Sequence, residues 1–243
     1  HDEVGRGERP VSNQERGEPR KFGMLLQDIV GIEAIVNRVV VHMPLKKQME
    51  WIKETYSQFE IDNLVIVGGE SSKQKYPGPT VNESLQKISQ DNRFRENSIL
   101  CGGICIPSRR KESKNLIRKS ECGAEFFTTQ VLCDSDNIMK MIKNYQERCD
   151  KVNTFPRRIL LSFAPVSSQK NIDFLKWLGV EIPKDTERYL NGRPGSMTER
   201  SLDVAIEVLN EILAFITNNN LKVPVGLNVE HIMRSEEHTS ELQ

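Results

Sequence analysis

The sequence predicts an α/β fold, read as an incomplete (βα)8 TIM barrel. Three observations carry this. First, six short apolar or β-branched runs alternate with segments of helical periodicity, and five of the six are followed by a helix. Runs buried on both faces and separated by helices imply a parallel sheet covered by helices. Second, no G-x-G-x-x-G turn follows the first run, as a doubly wound dinucleotide-binding sheet would usually show. Third, His42, Glu70, Gln130 and Glu230 fall at the C-terminal ends of runs, where a barrel collects its polar residues. A barrel needs eight units, so part of the front and the last helix are expected to be missing.

In order along the chain, Val36–Met43 is a β-branched strand ended by Pro44. Met49, Ile52, Tyr56 and Phe59 then recur at helical spacing. Asn63–Val67 is the second strand, closed by Gly68 and Gly69. Residues 70–82 are polar, hold Pro77, Gly78 and Pro79, and read as a loop. Glu83–Gln90 is a helix, Ser98–Ile106 a strand, and Lys111–Cys122 a helix ended by Gly123. Ala124–Leu132 is a strand. Asp134 or Ser135 caps a helix with Ile138, Met141, Ile142 and Tyr145 on one face. Arg158–Ala164 is a strand, and Ser167 or Ser168 caps the helix after it. Ser196 and Glu199 have capping-box spacing ahead of an apolar stripe from Leu202 to Ile216, and Val223–Val229 is the last strand.

Composition narrows the function. The 243 residues carry 34 Lys+Arg against 34 Asp+Glu, so no net charge argues for nucleic acid or an anionic membrane as partner. No apolar run approaches the roughly 20 residues of a membrane span. Five cysteines and no secretory signal fit free thiols in a reducing compartment, the cytoplasm. The ends differ from the middle. Residues 1–22 mix acidic and basic groups with almost nothing apolar and read as disordered or loop. Residues 234–243, RSEEHTSELQ, resemble the translation of a sequencing adapter and are set apart from the fold. On that reading the native gene continues past Met233, and residues 23–233 form one partial barrel domain.

Several residues can carry chemistry. Gly68 and Gly69 would let a flat ligand approach the backbone, with Glu70 beside them to hold a donor; the alternative is a plain tight turn. Gln130 is an amide at a strand exit, needing either a ligand or a loop carbonyl. Asn115, Arg118 and Lys119 stand at i, i+3 and i+4, with Arg109–Lys111 just before them. Together they could grip a diphosphate, or simply be solvated. Cys101 and Cys105 share one strand face and read as core thiols, not metal ligands. No metal site and no Ser-His-Asp or H-E-x-x-H pattern is expected.

These segments resemble the methylenetetrahydrofolate reductase family, a flavin-dependent (βα)8 barrel. The likeness runs from about Val36 to Val229. It is most specific over Glu112–Gln130, where an acidic residue, Asn-Leu-x-Arg-Lys, Gly-Ala and Thr-Gln stand at the family's offsets; Phe163–Leu175 is similar to its strand-seven exit. The resemblance implies reduction of 5,10-methylenetetrahydrofolate to 5-methyltetrahydrofolate by NAD(P)H through FAD. It implies that Glu112, Asn115, Arg118 and Lys119 contact the ribityl and diphosphate arm. His42, Gly68, Gly69, Glu70 and Tyr76 would lie near the flavin ring. Gln130 would bind the pterin, with Asn171 and Leu175 nearby, and Glu70 and Gln130 would be the catalytic pair. The partner is then a folate, and a homo-oligomer is compatible with the sequence.

Three departures stand out. Gly68 takes the place of the family's Arg, Glu70 that of its Asp, and the acidic residue of its first strand has no counterpart. The fragment is therefore expected to be inactive. Two other readings stay open: a non-catalytic or differently specific flavin- or pterin-binding barrel subunit of a larger complex, and an unrelated phosphate-binding barrel enzyme.

Overall fold

A computed structural model describes residues 18–69, 74–192 and 194–231. The chain opens on helix α1 (Pro19–Val30). Glu18 caps it by accepting from the Arg20 N–H, Pro19 fits the first turn, and Gly31 ends it at φ 70°. Residues 19–22, expected to be disordered or loop, are therefore helical. Arg20 is buried because its guanidinium spreads over Trp51 and Phe59, 4.5 and 4.6 Å from the ring centres, while pairing with Glu18.

Strand β1 (Ile35–Val39) stops short of the predicted Met43. Its neighbour β2 (Asn63–Val67) runs out at Val67, so the Val40 N–H to Val67 carbonyl bond is the last of the ladder. The Val41 carbonyl is taken by the Gly78 N–H, and the chain turns at 41–42. Between the two strands, α2 (Leu45–Phe59) buries Met49 and Ile52 as its spacing predicts. Helix α3 (Val81–Gln90) begins two residues earlier than expected, because Thr80 and Glu83 form a reciprocal capping box. A short α4 (Asn92–Glu96), not anticipated, is capped by Asp91.

Then come β3 (Leu100–Cys105), α5 (Glu112–Glu121), β4 (Phe126–Thr129), α6 (Asp136–Lys151) and β5 (Arg158–Phe163). Between β5 and the last strand stand three helices where one was read ahead of the apolar stripe's own. Helix α7 (Gln169–Trp177) is capped by Ser168, α8 (Lys184–Leu190) is additional, and α9 (Met197–Asn218) has the Ser196–Glu199 capping box. Strand β6 (Val225–Val229) follows.

The six strands form one parallel sheet in sequence order, β1 to β6. This is an incomplete (βα)8 barrel. Its main core lies between sheet and helices, where Leu64, Ile66, Phe127, Ile159 and Leu161 meet Leu85, Leu116 and Tyr145. A smaller core of Val166, Ile172, Leu175, Val180 and Leu190 holds α7 and α8 in the β5–α9 connection. Among the described residues no helix is long and apolar enough to cross a membrane.

Candidate functional site at the strand exits

Side-chain alternation fixes which face of the sheet looks inward. Phe127 meets the Tyr145 ring of α6 edge-on at 6.2 Å, so it belongs to the helix layer. Phe126, Thr128 and Gln130 consequently point to the inner face. That face is floored by large-over-small pairs. Phe126 covers Gly102, where a β-carbon would stand 2.5 Å from its ring, and Leu160 covers Gly226 at 2.7 Å.

Above the floor lies a polar network that the sequence reading missed, apart from noting Glu230 at a strand end. Thr128 and Ser162, both buried, share a hydroxyl–hydroxyl bond of 3.1 Å. The Asn228 amide donates to Ser162 at 2.9 Å, to Thr128 at 3.4 Å and to the Glu230 carboxyl at 3.1 Å. Glu230 extends the ladder through its N–H to the Phe163 carbonyl. The residue is exposed as a whole, yet protein crowding around its carboxyl raises its pKa; a hydrogen bond from Ser162 acts the other way. The signal available in the sequence was Asn228 and Glu230 two residues apart, hence on one strand face.

Gln130 is half-buried at the exit of β4, and its Nε2 donates to the Leu178 carbonyl at the end of α7, 3.1 Å away. Of the two partners considered for this amide, the structure provides the backbone carbonyl. Asn171 and Leu175 are enclosed. The Asn171 Oδ1 accepts from the Ser167 N–H and from the Ser167 and Ser168 hydroxyls, ordering the turn into α7. Leu175 is part of the small core.

On α5 the expected common face divides. Arg118 is exposed, but Lys119 is not, against the expectation of a solvent-facing pair. Glu112, Asn115 and Lys119 stand at i, i+3 and i+7, the face that also buries Leu116. Long helical side chains lean toward the helix N-terminus, and Lys119 reaches the Ile104 carbonyl at the end of β3. Its ammonium also pairs with Glu112 at 3.4 Å. The fully buried Glu112 carboxyl accepts further from the Ile106 N–H at 3.2 Å and from Asn115 at 3.0 Å.

At the exit of β2, the close approach allowed by Gly69 is taken by the chain itself. A β-carbon there would lie 2.3 Å from the Tyr76 ring, and one at Gly68 would touch Val81 at 3.2 Å. Tyr76 in turn meets the exposed His42 ring edge-on at 5.6 Å. His42 is therefore beside Tyr76 as expected, although it sits in a turn and not on a strand. Glu70, and with it residues 71–73, lies outside the described residues, as do residues 1–17 and the adapter-like segment.

The five cysteines are free. Burial pushes the thiols of Cys101 and Cys133 up to about 12 and that of Cys105 higher still. Among the described residues no group of three or more His, Cys, Asp or Glu is placed to hold a metal ion.

The family model for methylenetetrahydrofolate reductase matches residues 105–227, half of the chain, from the end of β3 into β6. The chain belongs to that family. The matched span contains Glu112, Asn115, Arg118, Lys119, Gln130, Asn171 and Leu175. Among solved structures, the chain is similar to an uncharacterized protein from Clostridium thermocellum that binds two copies of 5-methyl-5,6,7,8-tetrahydrofolic acid. The two share 18% identity over 88% of this chain and 94% of that one, with a TM-score of 0.51, a likeness of fold. A 2,3-dimethylmalate lyase of the PEP mutase/isocitrate lyase superfamily is more distant, at 12% identity over 84% and 67% of the two chains and a TM-score of 0.45. No curated protein matches the chain.

Reductases of this family are flavin-dependent, so the residues can be tested against FAD. The arm side fits. Arg118 and Arg109–Lys111 are exposed cations beside α5, and Asn115 is half-buried on the same helix. The ring side at Gly69 is covered by Tyr76.

Proposed function

We propose that this chain is the folate-binding barrel of a flavin-dependent oxidoreductase. The reaction is reduction of 5,10-methylenetetrahydrofolate to 5-methyltetrahydrofolate with NAD(P)H. The observation that carries the reading is the family match itself, because its span holds both the α5 cations and Gln130. Bound FAD would supply the hydride-transfer chemistry that links NAD(P)H to the folate methylene carbon. The chain's own residues bind and orient. Arg118, with Arg109–Lys111, would hold the diphosphate, and Asn115 the ribityl hydroxyls. Glu112 and Lys119 fix the end of β3 from beneath. Gln130 would meet the pterin at the mouth, its nitrogen steadied by Leu178. Glu70 and His42 are assigned to the flavin ring by the resemblance. The free thiols support a cytoplasmic location, and residues 23–233, joined by the start of α1, make up the domain.

A second reading, a flavin- or pterin-binding barrel without this turnover, is favoured by two contacts: Tyr76 on Gly69, and the Lys119 ammonium spent on Glu112 and Ile104. The test has two stages. Flavin absorbance retained through dialysis supports either reading; its loss excludes the reductase and leaves only a barrel that binds pterin alone. Bleaching by NAD(P)H followed by reoxidation with methylenetetrahydrofolate supports the reductase; flavin retention without reoxidation leaves the binding barrel.

A further inference from the structure

The inner face of β4, β5 and β6 carries a built polar site of which only Gln130 has been given a role above. Three features define it. A carboxyl, Glu230, stands at the exit of β6, held at 3.1 Å by the Asn228 amide. Asn228 is itself anchored on Ser162 and Thr128, which are 0% and 8% exposed. The group behind the carboxyl is thus fixed from two neighbouring strands, and freezing it costs the carboxyl little further entropy. Below the network the floor is apolar, with Phe126 and Leu160 lying over glycines. Finally, Gln130 belongs to the same inner-face set as Thr128, one step nearer the strand exit.

An ionised carboxylate has about four lone-pair sites. Asn228 occupies part of that capacity from the strand side, which leaves the outward side for a ligand. A carboxylate selects a partner with two adjacent N–H donors, by the same geometry that matches it to a guanidinium. We propose that Glu230, positioned by Asn228, receives the paired N–H donors of a 2-amino-4-oxopyrimidine ring, the ring edge of a folate. This deepens the folate reading and rests on it. It makes Glu230 a specificity-determining residue, separate from Gln130.

The test uses this chain and two probes: 5-methyltetrahydrofolate, and its 2-desamino-2-methyl analogue, which lacks one of the two donors. Calorimetric titration of the wild-type chain should show the analogue binding about tenfold to a hundredfold more weakly, the usual worth of a charge-assisted bond. Glu230→Gln should lose affinity for the first probe by a similar factor and discriminate little between the two. Glu230→Asp should recover part of the discrimination. Circular dichroism and thermal unfolding should match wild type, since Glu230 is exposed. A Gln variant that keeps the wild-type ratio between the probes overturns the assignment while leaving the folate reading intact. A wild-type chain that binds neither probe overturns the folate reading, and this ligand with it.

Discussion

The Lys119 ammonium and the Glu112 carboxyl, seven residues apart on one helix, meet at 3.4 Å beneath the end of β3. Because the Glu112 side chain is wholly buried and that of Lys119 is 13% exposed, the pair is part of the frame. Removing one member leaves a buried charge with fewer partners. Lys119→Met should therefore destabilise the chain by about 3 kcal/mol, whereas Arg118→Ala should stay within about 0.5 kcal/mol of wild type. Urea unfolding of the two variants measures the contrast. Equal, small losses would return Lys119 to the solvated class.

Gly69→Ala is expected to displace Tyr76, since no β-carbon fits 2.3 Å from its ring. The cost should be about 1–3 kcal/mol. In the double variant with Tyr76→Ala the two losses should not add. A thermal-denaturation cycle of the four proteins reads the coupling, and strict additivity would mean that the ring moves aside freely.

Alkaline pH should weaken the fold. Cys101 and Cys133 rise from the usual thiol value of 9.0 to about 12 through burial. Between those values the unfolded chain loses thiol protons that the folded chain keeps. This contribution is complete below pH 9 and is lost as pH climbs from 9 toward 12. Cys101→Ala should flatten the fall in stability across that window. An unchanged slope would show that other groups dominate it.

Thr80→Ala removes the hydroxyl that accepts the Glu83 N–H. It should cost about 1 kcal/mol, and amide exchange should quicken over the first turn of α3. Exchange at the wild-type rate there would deny the cap its role.

If the reductase reading holds, Gln130→Ala should slow folate-dependent reoxidation far more than reduction by NAD(P)H. Stopped-flow measurement of the two half-reactions separates them. A parallel fall in both would mark the Leu178 contact as the residue's whole purpose.

Much of this architecture is legible in the sequence where local chemistry decides. Strand Asn63–Val67 stands where its apolar run lies, and Ser168, Ser196 and Glu199 cap as their spacing implies. Strand β1 is shorter than its β-branched letters suggest, because pairing ends with the neighbour. Helix α1 is hard to see although Glu18, Pro19 and Gly31 punctuate it, since its charged start blends with the residues before it. The site was harder to see. That Lys119 turns inward follows from its i+7 relation to Glu112, which is visible only once Glu112 is known to be buried. The Thr128–Ser162–Asn228 network joins residues up to 100 positions apart, a relation that only the strand register creates.

Among the described residues, strand β6 ends the sheet with one flank unpaired, and on its helix-side face Leu227 and Val229 are 56% and 66% exposed. A flat, apolar, open strand is a template for another strand. Handled by itself at high concentration, this chain should scatter light before it unfolds. A lysine at position 227 or 229 would act as a gatekeeper, extending its shelf life without touching the mouth of the barrel.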